Sequence, residues 1–467
     1  MPPSASRTRI DFNMTPSITN LSAKISSGLL SLLSICALGL TQAAPAPNPS
    51  AVLAPDWPQF HGPHRDSICT ETGLLQEWPA QGPPLLWKCT GLGNGYATVA
   101  IANGRLFTTG DRKLAEETNR SQYVMAFDLG TRSNLWITRI GLPGQNGACS
   151  TPTVDGSLLY AISGDGNLVC VETGAGKEIW RKSMTRDFDG KVMEQWKYSE
   201  SPLVDGDKVI CTPGGKDATM VALNKRTGEL IWKCPRPGIA RQENKPGAGY
   251  GSIVMAEVEG LKHYIAVTGV GAMGVAADTG KLLWSHNRIA NYTANIPTPV
   301  VRSNCVFLIA GYETGANLLT LTRAGDLLNA EEVYYLGRST MGQSGFINCH
   351  GGVVLVGDYV YGAHGDHGPP GNPTCVQFST GNIMWKEKPP TKPGSASVLY
   401  ADQRIIWRYA DGTVFLVEPS PQEFRIKGQF KAAVNMGDAW AHPVIHGGML
   451  YLRSQDTLMC YDVRAKE

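Results

Sequence analysis

The chain has 467 residues, of which 42% are hydrophobic and 18% charged, with 53 glycines and 30 prolines. That composition supports a large core broken by many turns, and it excludes a disordered or coiled-coil protein. The formal net charge is +2, and Arg7, Arg9 and Lys24 fall in the leader described next, so the body is near neutral and a nucleic-acid surface is not expected.

In chain order, the basic start is followed by an apolar run at 28–40, then by Thr41 and Ala43, small residues suited to a cleavage site. A run of that length is too short to span a bilayer as a helix, where roughly 20 residues are needed. Residues 1–43 are therefore expected to be a signal peptide, and the mature protein periplasmic or secreted, with no transmembrane span. Ile35 precedes Cys36, where a lipoprotein signal wants a small residue. Residues 44–80 are expected to form an extended segment containing WPQFHGPHRDS, with His61 and His64 at the surface near the first repeat. Ten cysteines follow the leader, thinly spread and without a CxxC pair. Most are expected to be buried thiols; Cys89 and Cys460 are the pair to test for a disulfide.

From residue 81 the chain repeats. VMAFDLGTRSNLW (124–136), LVCVETGAGKEIW (168–180), MVALNKRTGELIW (220–232), MGVAADTGKLLW (273–284) and TCVQFSTGNIMW (374–385) each read as strand, Thr-Gly-type turn, and strand ending in tryptophan. Trp87, Trp136, Trp180, Trp232, Trp284 and Trp385 recur at spacings of 49, 44, 52, 52 and 101. The last interval holds two repeats, with Tyr334 in place of the missing tryptophan, and Phe430 is the next counterpart. A second series of short strands hinges on tight turns, as at Asn103-Gly104, Asp155-Gly156 and Asp205-Gly206, a strong hairpin signal. Eight hairpins and eight docking strands predict an all-β fold, an eight-bladed β-propeller of four-stranded antiparallel blades over 81–467. The 442–462 stretch supplies only three strands, so the Trp87 strand should close the ring.

These motifs resemble those of the pyrroloquinoline-quinone (PQQ)-like repeat family, whose blades end in a pattern close to A-x-D-x-x-T-G-x-x-x-W. The resemblance covers about 57–462 and departs at Arg132, where glycine is usual. It implies the propeller and, by itself, no activity. Two functions are compatible with it. One is a ligand-binding or protein-interaction module of the BamB type, with an unknown small ligand or envelope protein as partner and a monomeric state. The other is a PQQ-dependent oxidoreductase of alcohol or sugar dehydrogenase type, with PQQ and Ca²⁺ as cofactors. The family's dehydrogenases hold the quinone beneath a vicinal disulfide, and this chain has no adjacent cysteines.

In such a fold the loops leading into each innermost strand share one face with the turns between the two middle strands. That face gathers Tyr96, Asp111, Arg112, Glu200, Lys216, Asp217, Tyr250, Asn295, His350, His364, His367 and His442 as candidate binding residues at the channel mouth. His350, His364 and His367 fall in one expected blade and are the metal candidates, in their neutral form. No catalytic residue is assigned. GVGAMG at 269–274 matches a dinucleotide fingerprint, but it lies inside a β-repeat with no helix after it, which removes the context that the motif needs.

Overall fold

The computed structural model describes residues 55–239, 244–337, 345–366 and 370–466; the leader and His367 lie outside them. Seven consecutive antiparallel sheets occupy 100–141, 153–183, 203–234, 254–286, 300–336, 354–386 and 396–431. The eighth contains Val444–His446, Met449–Ser454 and Thr457–Asp462, and Leu85–Cys89 adds its outermost strand. The protein is an eight-bladed propeller closed by its N-terminal strand, and its one short helix among the described residues is Met184–Asp187. Trp87 faces Cys460 and Cys89 faces Leu458. The tested cysteine pair thus lies on neighbouring strands but out of register, and all ten described cysteines are free thiols.

Each hairpin begins with a positive φ at its first turn residue, from Asn103 (52°) to Gly447 (63°), the backbone that short twisted hairpins require. Two turns sit one residue later than the sequence suggests, because Asp155 and Asp205 still pair across the ladder with Leu158 and Lys208. On the outermost strands a β-bulge falls immediately before the docking aromatic in seven blades, as between Glu178 and Trp180 or Glu332 and Tyr334. The bulge turns the aromatic inward and leaves its predecessor, for example Ile179 or Val333, outside in six of these blades, while Leu283 before Trp284 is buried.

The inward aromatics reach the next blade. Trp136, Trp180, Trp232 and Trp385 donate their indole N–H to the carbonyls of Thr173, Lys225, Ala277 and Ser420, and the Tyr334 hydroxyl donates to Phe378. Trp284 is buried without such a bond among the described residues. A Cβ on Gly176 would lie 2.5 Å from Trp136, and Gly228, Gly280 and Gly381 meet Trp180, Trp232 and Tyr334 in the same way, so in these turns the glycine is the surface on which the preceding ring rests. Arg132 takes that place in the first blade at φ 64°, with its guanidinium 6.0 Å from the Trp87 ring centre.

Residues 55–80 lie across the hairpin-turn side of the channel. Trp57 pairs with Ile101 of blade one, the Pro58 carbonyl accepts from Val154 of blade two, and Arg65 donates to Ser201 and Pro202 at blade three. Ile68–Cys69 then runs parallel to Tyr400 and Ala401 of blade seven. His61 is buried in this crossing, contrary to the surface position expected for it, because the segment threads the channel opening; His64 is exposed.

Candidate functional site

The channel interior is organised by side chains at the start of the innermost strands. The Thr98 amide donates to the Thr151 hydroxyl at 3.0 Å, Thr151 to Ser201 at 3.0 Å, Ser201 to Ser252 at 2.9 Å and Ser252 to Thr298 at 3.3 Å. These bonds link blades one to five around the axis. Gly352, Ser397 and His442 hold the same place, counted back from the hairpin turn, in blades six, seven and eight. A Cβ on Gly352 would lie 3.5 Å from the His442 ring and 3.9 Å from that of His61, so the two imidazoles fill the space that a side chain there would take.

Above this layer lies a cavity of about 260 Å³. Phe60 and His61 of the crossing segment contribute its floor, and the loops leading into seven of the eight blades contribute its walls. Aromatic rings dominate. Trp440 stacks on His350 at 3.9 Å and 5°, Tyr96 lies 4.7 Å from Trp440, and Trp196 meets Tyr250 edge-on at 6.1 Å. Ser199, Ser201, Ser252, Thr298 and Asn146 supply neutral polar groups, and no described lining residue is Asp, Glu, Lys or Arg.

Of the residues named from sequence, Tyr96, Tyr250, His350 and His442 line this cavity. His442 is buried, with Nδ1 3.2 Å from His61 Nε2 and Nε2 3.3 Å from the His350 carbonyl. Burial lowers its pKa to about 4 and holds His61 well below the ordinary imidazole range. The others serve the scaffold. Glu200 is buried and accepts the Thr212 amide at 2.6 Å, and burial raises its pKa to about 7 despite that bond. Asp111 accepts the Gly144 amide at 2.9 Å and is likewise pushed up to about 7 by burial. Asn295 bridges Asn291 and the Thr268 carbonyl. Arg112 contacts the Met125 sulfur, while Lys216 and Asp217 are exposed away from the cavity.

His364 accepts the Ile347 amide at 3.2 Å and does not line the cavity; burial lowers its pKa to about 4. Of the three histidines named together from sequence, His350 lines the cavity, His364 is held by the Ile347 amide, and His367 lies outside the described residues. Among the described residues no group of three His, Cys, Asp or Glu is placed to hold a metal ion. Sequence reasoning missed Trp440, Trp196, Tyr312, Cys149 and Phe60. The available signal was that Trp196 and Trp440 stand outside the regular docking spacing and so needed another role.

A family model described as outer membrane protein assembly factor BamB, of the PQQ-like repeat type, matches residues 120–387. The chain belongs to the PQQ-like propeller family. Within the family, BamB of Shewanella oneidensis is 23% identical over 237 residues, 49% of this chain and 52% of that protein. The chain thus spans about half the length of the curated relative it matches. The solved structure of BamB from Moraxella catarrhalis is 14% identical, with 81% of this chain and 99% of that one covered and a TM-score of 0.54. A europium-containing methanol dehydrogenase (11% identity, 85% and 89% covered) gives a TM-score of 0.62. Quinohemoprotein alcohol dehydrogenase from Comamonas testosteroni (13% identity, 88% and 81% covered) gives 0.61. At these identities the structures share the fold alone. PQQ is a polycarboxylate and needs cationic partners, and Ca²⁺ needs carboxylate or carbonyl oxygens. The described residues of this PQQ-like propeller's cavity supply no cationic side chain for the quinone's carboxylates and no carboxylate for the ion, so they do not fit the pair.

Proposed function

We propose that the protein is an exported propeller that acts as a binding module, taking a small ligand into the cavity of its channel. The observation that carries this reading is the cavity itself, aromatic, floored by the N-terminal crossing segment and walled by loops from seven blades. Concave, largely apolar sites with a few convergent polar groups are where small molecules bind. The leader supports export. Docking of an envelope protein is the second reading, favoured by the likeness to BamB. The dehydrogenase reading is disfavoured by the uncharged lining. Protein incubated with PQQ and Ca²⁺, then freed of excess, should retain no quinone absorbance and should not oxidise alcohols or sugars with a dye acceptor. Stoichiometric retained quinone with turnover would establish the dehydrogenase instead.

A further inference from the structure

The cavity wall also restricts the class of ligand, an inference that rests on the binding reading above. The described lining carries no charged side chain. Behind it, the buried guanidiniums of Arg65 and Arg408 turn their Nη groups to carbonyls, of Ser201 and Pro202 and of Ala441 and Arg453. Their charge disfavours a cation, yet neither lines the cavity to receive an anion.

Two aromatic surfaces stand roughly across the ring from each other, Trp440 with Tyr96 at blades eight and one and Trp196 with Tyr250 at blades three and four. Each carries one buried polar hydrogen: that of the Trp440 indole N–H, which has no acceptor among the described residues, and that of the Tyr250 hydroxyl, whose oxygen faces the Trp196 backbone N–H; Tyr250 is only 7% exposed. In the same two blades as Trp196 and Tyr250, Ser201 and Ser252 accept backbone amides, which leaves each hydroxyl its own hydrogen to donate. A purely apolar guest would leave these groups unsatisfied, whereas a guest rich in neutral oxygens would pair with them and still present C–H faces to the rings. The volume, about 260 Å³, is slightly below the range of drug-sized pockets, roughly 300–1,000 Å³.

We propose that the cavity binds an uncharged, hydroxyl-rich ring compound, a mono- or disaccharide, held between Trp440 and Tyr250. The test is isothermal titration of the mature chain with methyl α-glucoside and maltose, against glucuronate and glucosamine as charged counterparts. Neutral sugars should bind at least about tenfold more tightly than the charged pair, since an unpaired charge would be buried. Trp440→Phe and Tyr250→Phe keep the rings and remove one polar hydrogen each, and each should weaken binding about tenfold. Equal binding of charged sugars, or neutral-sugar binding indifferent to both substitutions, would overturn the proposal. Titration with p-cresol separates the two readings. If p-cresol binds with sensitivity to Trp440→Phe and no sugar binds, the sugar class falls while the binding module stands. If neither binds, both fall.

Discussion

His442 stands where most blades place a hydroxyl, and its surroundings give a pH-dependent prediction. The unfolded imidazole titrates near 6.5 and the folded one near 4. The unfolded chain therefore takes up the proton first, so this residue's contribution to stability falls as pH drops from about 6.5 to about 4. Between pH 7.5 and 5 the wild type should lose roughly 1–2 kcal/mol more than His442→Asn, read from urea midpoints at the two pH values. An equal loss would mean that the ring is not held neutral. The chemistry of single residues was only partly legible in the sequence. Glu200 and Asn295 are polar residues leading into inner strands, as a channel site would require, but their side chains are taken by backbone groups of their own and neighbouring turns. Local pattern does not reveal such pairing, whereas a tryptophan outside the repeat, such as Trp440, was visible and open to interpretation.

Elements meet through a small set of repeated contacts. Trp232 is buried and bonded to Ala277 of the next blade. Trp232→Ala should cost about 3–5 kcal/mol in chemical denaturation, and a loss below about 1 kcal/mol would remove it from the inter-blade packing. This docking layer was readable because its residues recur at nearly constant intervals, and even the Tyr334 replacement could be placed. The inner layer was marked by a recurring Ser/Thr-Pro before the hairpin, as at Thr151-Pro152, Ser201-Pro202 and Thr298-Pro299, but that pattern does not say that each hydroxyl accepts an amide of the preceding blade about fifty positions away. Arg408 and Arg453 are the clearest case. Arg408 of blade seven donates to Ala441 and Arg453 of blade eight, and Arg453 donates to Gly93, Ala97, Thr108 and Thr109 of blade one. Both are buried, which lowers their pKa to about 10 without removing their charge at neutral pH. Arg453→Met would remove the donor to these four groups and to the Gln455 carbonyl, and each buried acceptor left unpaired costs about 1–3 kcal/mol. We expect a loss of several kcal/mol and a lowered thermal midpoint, whereas Arg105→Met, which gives up a single bond to the Thr173 carbonyl from a half-buried position, should do far less.

At the scale of the whole molecule, closure is made twice across one seam. Leu85–Cys89 completes the eighth sheet at the rim, and the Arg408–Arg453 relay joins blades seven, eight and one near the axis. Deleting residues 440–467 removes both, exposes the Leu85–Cys89 strand as an unpaired edge, and should give aggregation in size-exclusion chromatography. A monomeric truncation with unchanged cooperative unfolding would contradict this account of closure. The same deletion takes away Trp440 and His442, so it cannot separate folding from binding. A smaller change can. Ile296 lines the cavity, is part-buried and belongs to neither closure contact, so Ile296→Trp should fill the site while leaving the ring intact. The most direct measurement is calorimetric titration of the wild type and Ile296→Trp with methyl α-glucoside, with thermal midpoints recorded for both. Saturable binding to the wild type and none to an equally stable Ile296→Trp is the predicted result; undiminished binding to the filled variant would place the site elsewhere.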